Sequence, residues 1–350
     1  MIRRMFALLT IAGISTCWAA PPSAKVSFKI VTASERGTYI QIGRDIAKFV
    51  ADPAGIDLAV LPSAGSAENV HRLRYEPGVK LALVQSDVYQ AYLDLAKSGN
   101  AEAEALIRPI RVIMPLYNEE IYFLARADSE LEFVHQIKGA KINVGPLRSG
   151  TAMSATTLYR QMFDGPIADV NASYLSNEEA LVKLTVDKTL DVVVVVAGQP
   201  AKLLADMTPS ARQLIKLLKF DPARPESQTA LQTYTPATVR ATSYPNLLQE
   251  DVAGIAIKAY LVTYDYALGS TVWQLRKLAR SLCTNFDTLQ SSGHPKWREV
   301  EMAMPPLARG WSYYSPMAKE MQNCLARPPA AVSVTRPSCS QQQRVLGLCK

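Results

Sequence analysis

From Lys25 onward, short apolar runs alternate with stretches whose apolar residues recur at helical spacing. Residues 26–32 read as a strand, and residues 38–50 as a helix with Ile42, Ile46 and Phe49 on one face. A strand at 56–61, a helix opening near Ser66, a strand at 79–84 and a helix from Asp87 to about residue 97 continue the rhythm. A second unit then begins. Residues 110–116 and 121–126 are apolar and extended, with Tyr117-Asn118-Glu119-Glu120 between them. Strands follow at 141–144 and 172–175, with helices at 150–163 and 178–184. The consecutive valines at 192–196 suit a strand covered on both faces. Beyond Pro200 the pattern loosens to one more strand at 214–220 and helical stretches at 272–289 and 297–302. Alternation of this kind predicts parallel sheets covered by helices, arranged as two α/β lobes joined by extended crossovers. The expected division is a first lobe of residues 25–117 plus 234–326, a second of 118–233, and a tail from 327 to 350.

Four small or polar loops recur in one setting, each after an expected strand and before an expected helix. They are Ser34-Glu35-Arg36-Gly37-Thr38-Tyr39, Ser63-Ala64-Gly65-Ser66, Gln85-Ser86-Asp87 and Gly145-Pro146-Leu147-Arg148-Ser149-Gly150-Thr151. A helix N-terminus presents unpaired N–H groups and partial positive charge, so it attracts anions. In open α/β sheets such turns gather at the carboxyl ends of the strands, where ligands bind. Taken singly, a Ser or Thr before a helix is an N-cap and nothing more. Repetition, with three loops in one lobe and one in the other, points to a carboxylate held between closing lobes. Arg36 and Arg148 would neutralise a second acidic group.

The leader changes the picture next. Arg3 and Arg4 precede an apolar stretch over residues 5–14, too short to span a bilayer but suited to a signal-peptide core. Residues 1–20 read as a signal peptide, with cleavage after Ala19 preferred. Lipid attachment at Cys17 is the lesser alternative. The expected location is the periplasm. The formal charge of +7 resides in the leader and in a tail with Arg327, Arg336, Arg344 and Lys350 and no acids. The body is close to neutral, which argues against a nucleic-acid partner. Of five cysteines, Cys283, Cys324, Cys339 and Cys349 lie in the last quarter. In an oxidising compartment they favour disulfides. Three pairings are open, with Cys283–Cys324 and Cys339–Cys349 preferred. No metal-ligand spacing links His71, His135 and His294.

The loops and their order resemble the TAXI group of solute receptors for tripartite ATP-independent periplasmic (TRAP) transporters. The resemblance rests on residues 35–43, Gly65-Ser66-Ala67-Glu68-Asn69-Val70, Leu83-Val84-Gln85-Ser86-Asp87 and Phe123-Leu124-Ala125-Arg126-Ala127-Asp128-Ser129. It continues through residues 137–145, Arg148-Ser149-Gly150-Thr151, Asp191 to Gly198-Gln199-Pro200, His294-Pro295 and Trp311-Ser312-Tyr313-Tyr314. It spans residues 28–321. It implies a two-lobed type II-like periplasmic-binding fold, a glutamate or dicarboxylate-like ligand, and a monomer docking onto an ion-gradient-driven permease. Carried over by position, Gly37, Thr38, Tyr39, Gly65, Ser66, Gln85, Ser86, Ser149, Gly150 and Thr151 would line the cleft, with Gln199 nearby. Two departures alter charge and bulk at its mouth. Glu35 and Arg36 interrupt a usually glycine-rich loop, and Leu147 and Arg148 stand where small residues are common.

An enzyme would need a reactive group with a partner, and no nucleophile elbow, phosphate loop or dinucleotide fingerprint is present. Glu119-Glu120 and Glu178-Glu179 read as solvated faces or helix starts. No cofactor is expected. Two other roles suit the same fold: a receptor for an ATP-driven importer, or a sensor presenting its ligand state to a membrane signalling partner.

Overall fold

The structure, a computed structural model, describes residues 25–35 and 37–326. The leader with Cys17, Arg36, and the tail with Cys339 and Cys349 lie outside the described residues. The first βα units are β1 (Val26–Val31), α1 (Thr38–Asp45, continued by a π-helical stretch, Ile46–Ala51), β2 (Ile56–Leu61) and α2 (Ser66–Tyr75). Then come β3 (Val79–Gln85), α3 (Val88–Lys97) and α4 (Ala101–Ile107). β1 runs parallel to both β2 and β3, as helical crossovers require.

The chain then enters β4, a 17-residue strand, Ile110–Arg126. The stretch Tyr117-Asn118-Glu119-Glu120 is therefore not a break between two strands but the middle of one. β5 (Ile142–Asn143), α5 (Gly150–Phe163), β6 (Ala172–Ser173), α6 (Asn177–Thr185) and β7 (Val192–Ala197) build the second lobe. α7 (Lys202–Ala205), β8 (Ile215–Leu217), α8 (Pro225–Ala230) and β9 (Thr235–Val239) complete it. The return strand is β10 (Val252–Tyr264), which the sequence reading passed over. It is followed by α9 (Gly269–Thr284), α10 (Phe286–Ser292) and α11 (Ser315–Leu325). Residues 297–302 are not a helix: a short 3-10 turn, Pro295–Glu299, occupies their start.

All strands join one sheet in the order β2-β1-β3-β10-β4-β7-β5-β6, with β8 on β4 and β9 on β10. β4 and β10 are antiparallel and belong to both lobes. Their register runs from Ile110 opposite Tyr264 to Ile121 opposite Ile255, with an irregularity between Lys258 and Tyr260 where the ladder passes from one lobe to the other.

Side-chain alternation gives each lobe two cores. In the first lobe Leu81 and Leu83 face a cluster with α1, α9 and α11, whereas Ala82 and Val84 face one with α2 and α4. In the second lobe Val192 and Val194 pack with α5, and Val193 and Val195 with α6. The valine run is buried on both faces, as its composition implies. Asp45 fastens the C-terminal segment to α1. Its carboxylate accepts from the His294 N–H at 2.7 Å and the Trp297 indole at 2.9 Å. His294 is thus a structural fastener.

Cys283 and Cys324 are joined, tying α9 to α11 with Cα atoms 6.4 Å apart. The bond closes a loop 41 residues long. Loop-closure entropy then assigns it about 4 kcal/mol against the unfolded chain. Replacing both cysteines with Ala should lower the free energy of unfolding by roughly that amount, read as an earlier midpoint in chemical denaturation.

Candidate functional site

Helices from both lobes open onto one cleft of about 150 Å3. α1 brings Gly37, Thr38 and Tyr39; α2 brings Gly65 and Ser66; α5 brings Ser149, Gly150 and Thr151; and Gln85 ends β3 beside them. The caps Gly37 and Gly65 place no side-chain oxygen on the first-turn N–H groups of α1 and α2, although in α2 the Glu68 N–H is taken by the Arg148 carbonyl. In α5, Ser149 caps its own helix through Ala152 N–H at 3.0 Å. Ser66 and Gln85 hold each other. The Ser66 hydroxyl donates to Gln85 Oε1 and accepts from the Gln85 N–H, both at 3.0 Å. Outward the cleft widens into a mouth of about 730 Å3, where Asn177, Val195, Val196 and Ala201 contribute walls.

The floor holds an acid the sequence reading set aside. Glu119 projects from the middle of β4, lines the cleft and is only 4% exposed. Burial is the main cause that pushes its carboxyl up to about 7. The Tyr39 hydroxyl, donating at 2.7 Å, offsets part of this. Tyr39 is itself buried and its pKa lies well above 10.0, so it stays a donor at neutral pH. Among the described residues neither Lys nor Arg lines the inner cleft, and Lys202, paired with Asp206, lines the mouth.

Glu120 is also buried, but behind the cleft. Lys296, 1% exposed, lies 3.5 Å from Glu120 and 2.7 Å from Glu299. The other Glu120 oxygen accepts the Gln199 N–H at 2.8 Å. This network ties the C-terminal segment of the first lobe to the end of β7. Neither Glu119 nor Glu120 is a solvated face. Only Glu178-Glu179 behaves as expected, in the first turn of α6.

The remaining expected site residues fall elsewhere. Arg148 is exposed and in the left-handed region with φ of 66°, and it does not line the cleft. Its backbone carbonyl accepts the Glu68 N–H at 3.3 Å. The Gln199 side chain is occupied by the segment around β9, donating to Thr238 O at 3.2 Å and accepting from Arg240 N–H at 2.6 Å. Ser86 is buried beside the cleft, and its carbonyl accepts the Trp311 indole N–H at 2.8 Å. Sequence reasoning missed Glu119 and Asn177. Asn177 was legible, because Ser176-Asn177 follows a strand and opens a helix like the other loops.

The lobes are closed on one another. Gly65 has φ of 131°, and a Cβ there would lie 2.8 Å from Gly150 N; a Cβ on Gly150 would lie 2.0 Å from Gln85 Oε1. Only glycine permits this backbone contact across the cleft. Beside it Asp87, at the start of α3, accepts from Ser154 of α5 at 2.6 Å and from the Tyr234 hydroxyl at 2.9 Å. At the rim Asp94 pairs with Arg160 at 2.9 Å.

Two cored lobes, a shared pair of long strands and a polar cleft between helix N-termini define the two-lobed periplasmic-binding-protein fold. The chain belongs to the NMT1-like family, whose model matches residues 30–306. Solved structures similar to it include the periplasmic sulfonate-binding protein SsuA of Methylobacillus flagellatus KT, at 9% identity over 85% of this chain and 77% of that one, TM-score 0.45. A TctC solute-binding protein from Polaromonas is 15% identical over 87% of this chain and 98% of its own, TM-score 0.41. The arginine-, lysine-, histidine-binding protein ArtJ of Geobacillus stearothermophilus is 11% identical over 81% and 98%, TM-score 0.44.

Asp87 makes closure pH-sensitive. Burial raises its carboxyl to about 6, and one oxygen has no partner. Because this pKa is raised, the closed form binds the proton more tightly than an exposed Asp does. Its contribution is full below about pH 4 and is lost as pH rises to about 6. Asp87→Asn should therefore flatten the fall in melting temperature between pH 4 and 6.5, as followed by calorimetry.

Proposed function

We propose that this protein is an exported, periplasmic, non-enzymatic receptor that captures a small organic anion between its lobes. It would deliver that anion to an ion-gradient-driven membrane permease of the TRAP type, in the manner of the TAXI receptors it resembles. The observation that carries the reading is the convergence of α1, α2 and α5 on one closed polar cleft, with the first turns of α1 and α2 uncapped by side chains. Such N–H groups are a ready carboxylate site. The inner volume of about 150 Å3 suits a small metabolite; it falls below the roughly 300–1,000 Å3 of drug-sized pockets. Export is supported by the basic-then-apolar leader, and no helix among the described residues is long and apolar enough to cross a membrane.

In this reading the ligand carboxylate takes N–H groups at Thr38 and Ser66. Tyr39 and Thr151 flank its carbon skeleton, and Asn177 meets the end facing the mouth. Arg148 has no part in it.

Mass spectrometry of the purified protein, native and then denatured, should release a small carboxylic acid. A panel of mono- and dicarboxylates should then raise the melting temperature. An empty protein that no organic acid stabilises would sink the reading.

Variants locate the site. Gly150→Ala should weaken binding on the order of tenfold or more, about 1.4 kcal/mol per tenfold, since its Cβ meets Gln85. Arg148→Ala should leave affinity unchanged. A large loss in Arg148→Ala with none in Gly150→Ala would place the ligand elsewhere.

A further inference from the structure

An anion drawn to the N-termini of α1 and α2 meets Glu119 on the floor of the same small cleft. Two negative charges so close in a buried space repel strongly unless something neutralises one of them. Among the described residues, the charged and titratable groups around Glu119 are mostly acids and phenols. From α1 comes the Tyr39 hydroxyl; from β4 itself, Tyr117 and Glu120; from the start of α3, Asp87. From the C-terminal segment comes Lys296, which Glu120 and Glu299 already engage. Lys258 of β10 sits opposite Asn118, and burial lowers its pKa, with Glu299 and Glu301 offsetting part of this. Tyr39 satisfies one Glu119 oxygen only.

We propose that the cleft takes up one proton together with its anionic ligand, and that the Glu119 carboxyl holds it. This deepens, and rests on, the organic-anion reading above. Protonated, Glu119 ceases to repel the ligand and becomes a hydrogen-bond donor facing it. Burial already pushes this carboxyl up to about 7, and an anion beside it favours the neutral form further. The sign follows. Glu119 is more basic in the complex than in the free protein, so binding is strongest below about pH 7 and weakens as pH rises above it. Glu119 thereby becomes a specificity residue, its protonated carboxyl donating to an acidic group of the ligand.

Calorimetric titration of the full mature protein with glutarate at pH 8, in phosphate and in Tris, reads the number of protons taken up from the difference in heat. The wild type should take up between half a proton and one proton per glutarate at pH 8, with affinity falling about three- to sixfold from pH 7 to pH 8. Glu119→Gln should take up none and bind equally from pH 6 to 8.5. Glutarate binding without proton uptake in the wild type overturns the proposal with no variant needed, as does unchanged uptake in Glu119→Gln. Binding of L-glutamate without uptake, with glutarate rejected, overturns it too, because the proton then arrives on the ligand. If no organic acid binds at pH 6, the anion-receptor reading itself falls.

Discussion

The structure depends on one antiparallel pair. β4 and β10 run through both lobes, so the strands that form the centre of each sheet also join the two bodies. Every backbone group along the shared stretch is needed for the ladder, which leaves little room for the lobes to come apart entirely. The pairing is irregular near Pro115 and Tyr260. The cleft sits above that region. Hence the residues in the middle of β4, Tyr117 to Glu120, are buried although they lie at the seam between lobes.

This arrangement explains which features the sequence revealed. The βα rhythm up to α3 was legible because each strand is short, apolar and followed by a small or polar loop and a helix. The second-lobe strand β7 was legible because five valines suit no other setting. The loop residues of the inner cleft were found by a positional rule, strand end before helix start. That rule needs no side-chain contact to be known. What failed were judgements about burial and direction. Glu119 and Glu120 resemble any exposed acidic pair until β10 is placed alongside them. β10 went unread because its antiparallel partner lies more than a hundred residues earlier. Arg148 could not be placed from its type: its backbone is left-handed and its side chain is exposed. Gln199 was given a ligand role, although the segment around β9 uses both ends of its amide.

Buried charge is handled differently on the two sides of β4. Behind the cleft, Glu120 finds Lys296 and a backbone N–H, an arrangement costly to desolvate but closed on itself. In front, Glu119 has a neutral phenol and open space. Asp87 follows the same pattern at the lobe contact, with two hydroxyl donors and no cation. The interface between lobes is therefore built mainly from neutral donors to carboxyls, with the one ion pair named there, Asp94 with Arg160, at the exposed rim. Such contacts are individually modest, which suits a contact that must open as well as close.

The order of elements also sets the order of assembly. β3 is central to the first lobe, yet its neighbour β10 begins at Val252, and α11, which seals the same core, ends at Leu325. Everything between Arg126 and Val252 belongs to the other body. The lobe whose first strand is translated earliest thus cannot be completed until nearly the whole described chain has been synthesised. Pairings this distant in sequence form slowly. The N-terminal half therefore has no finished core to collapse into while the rest of the chain is still emerging.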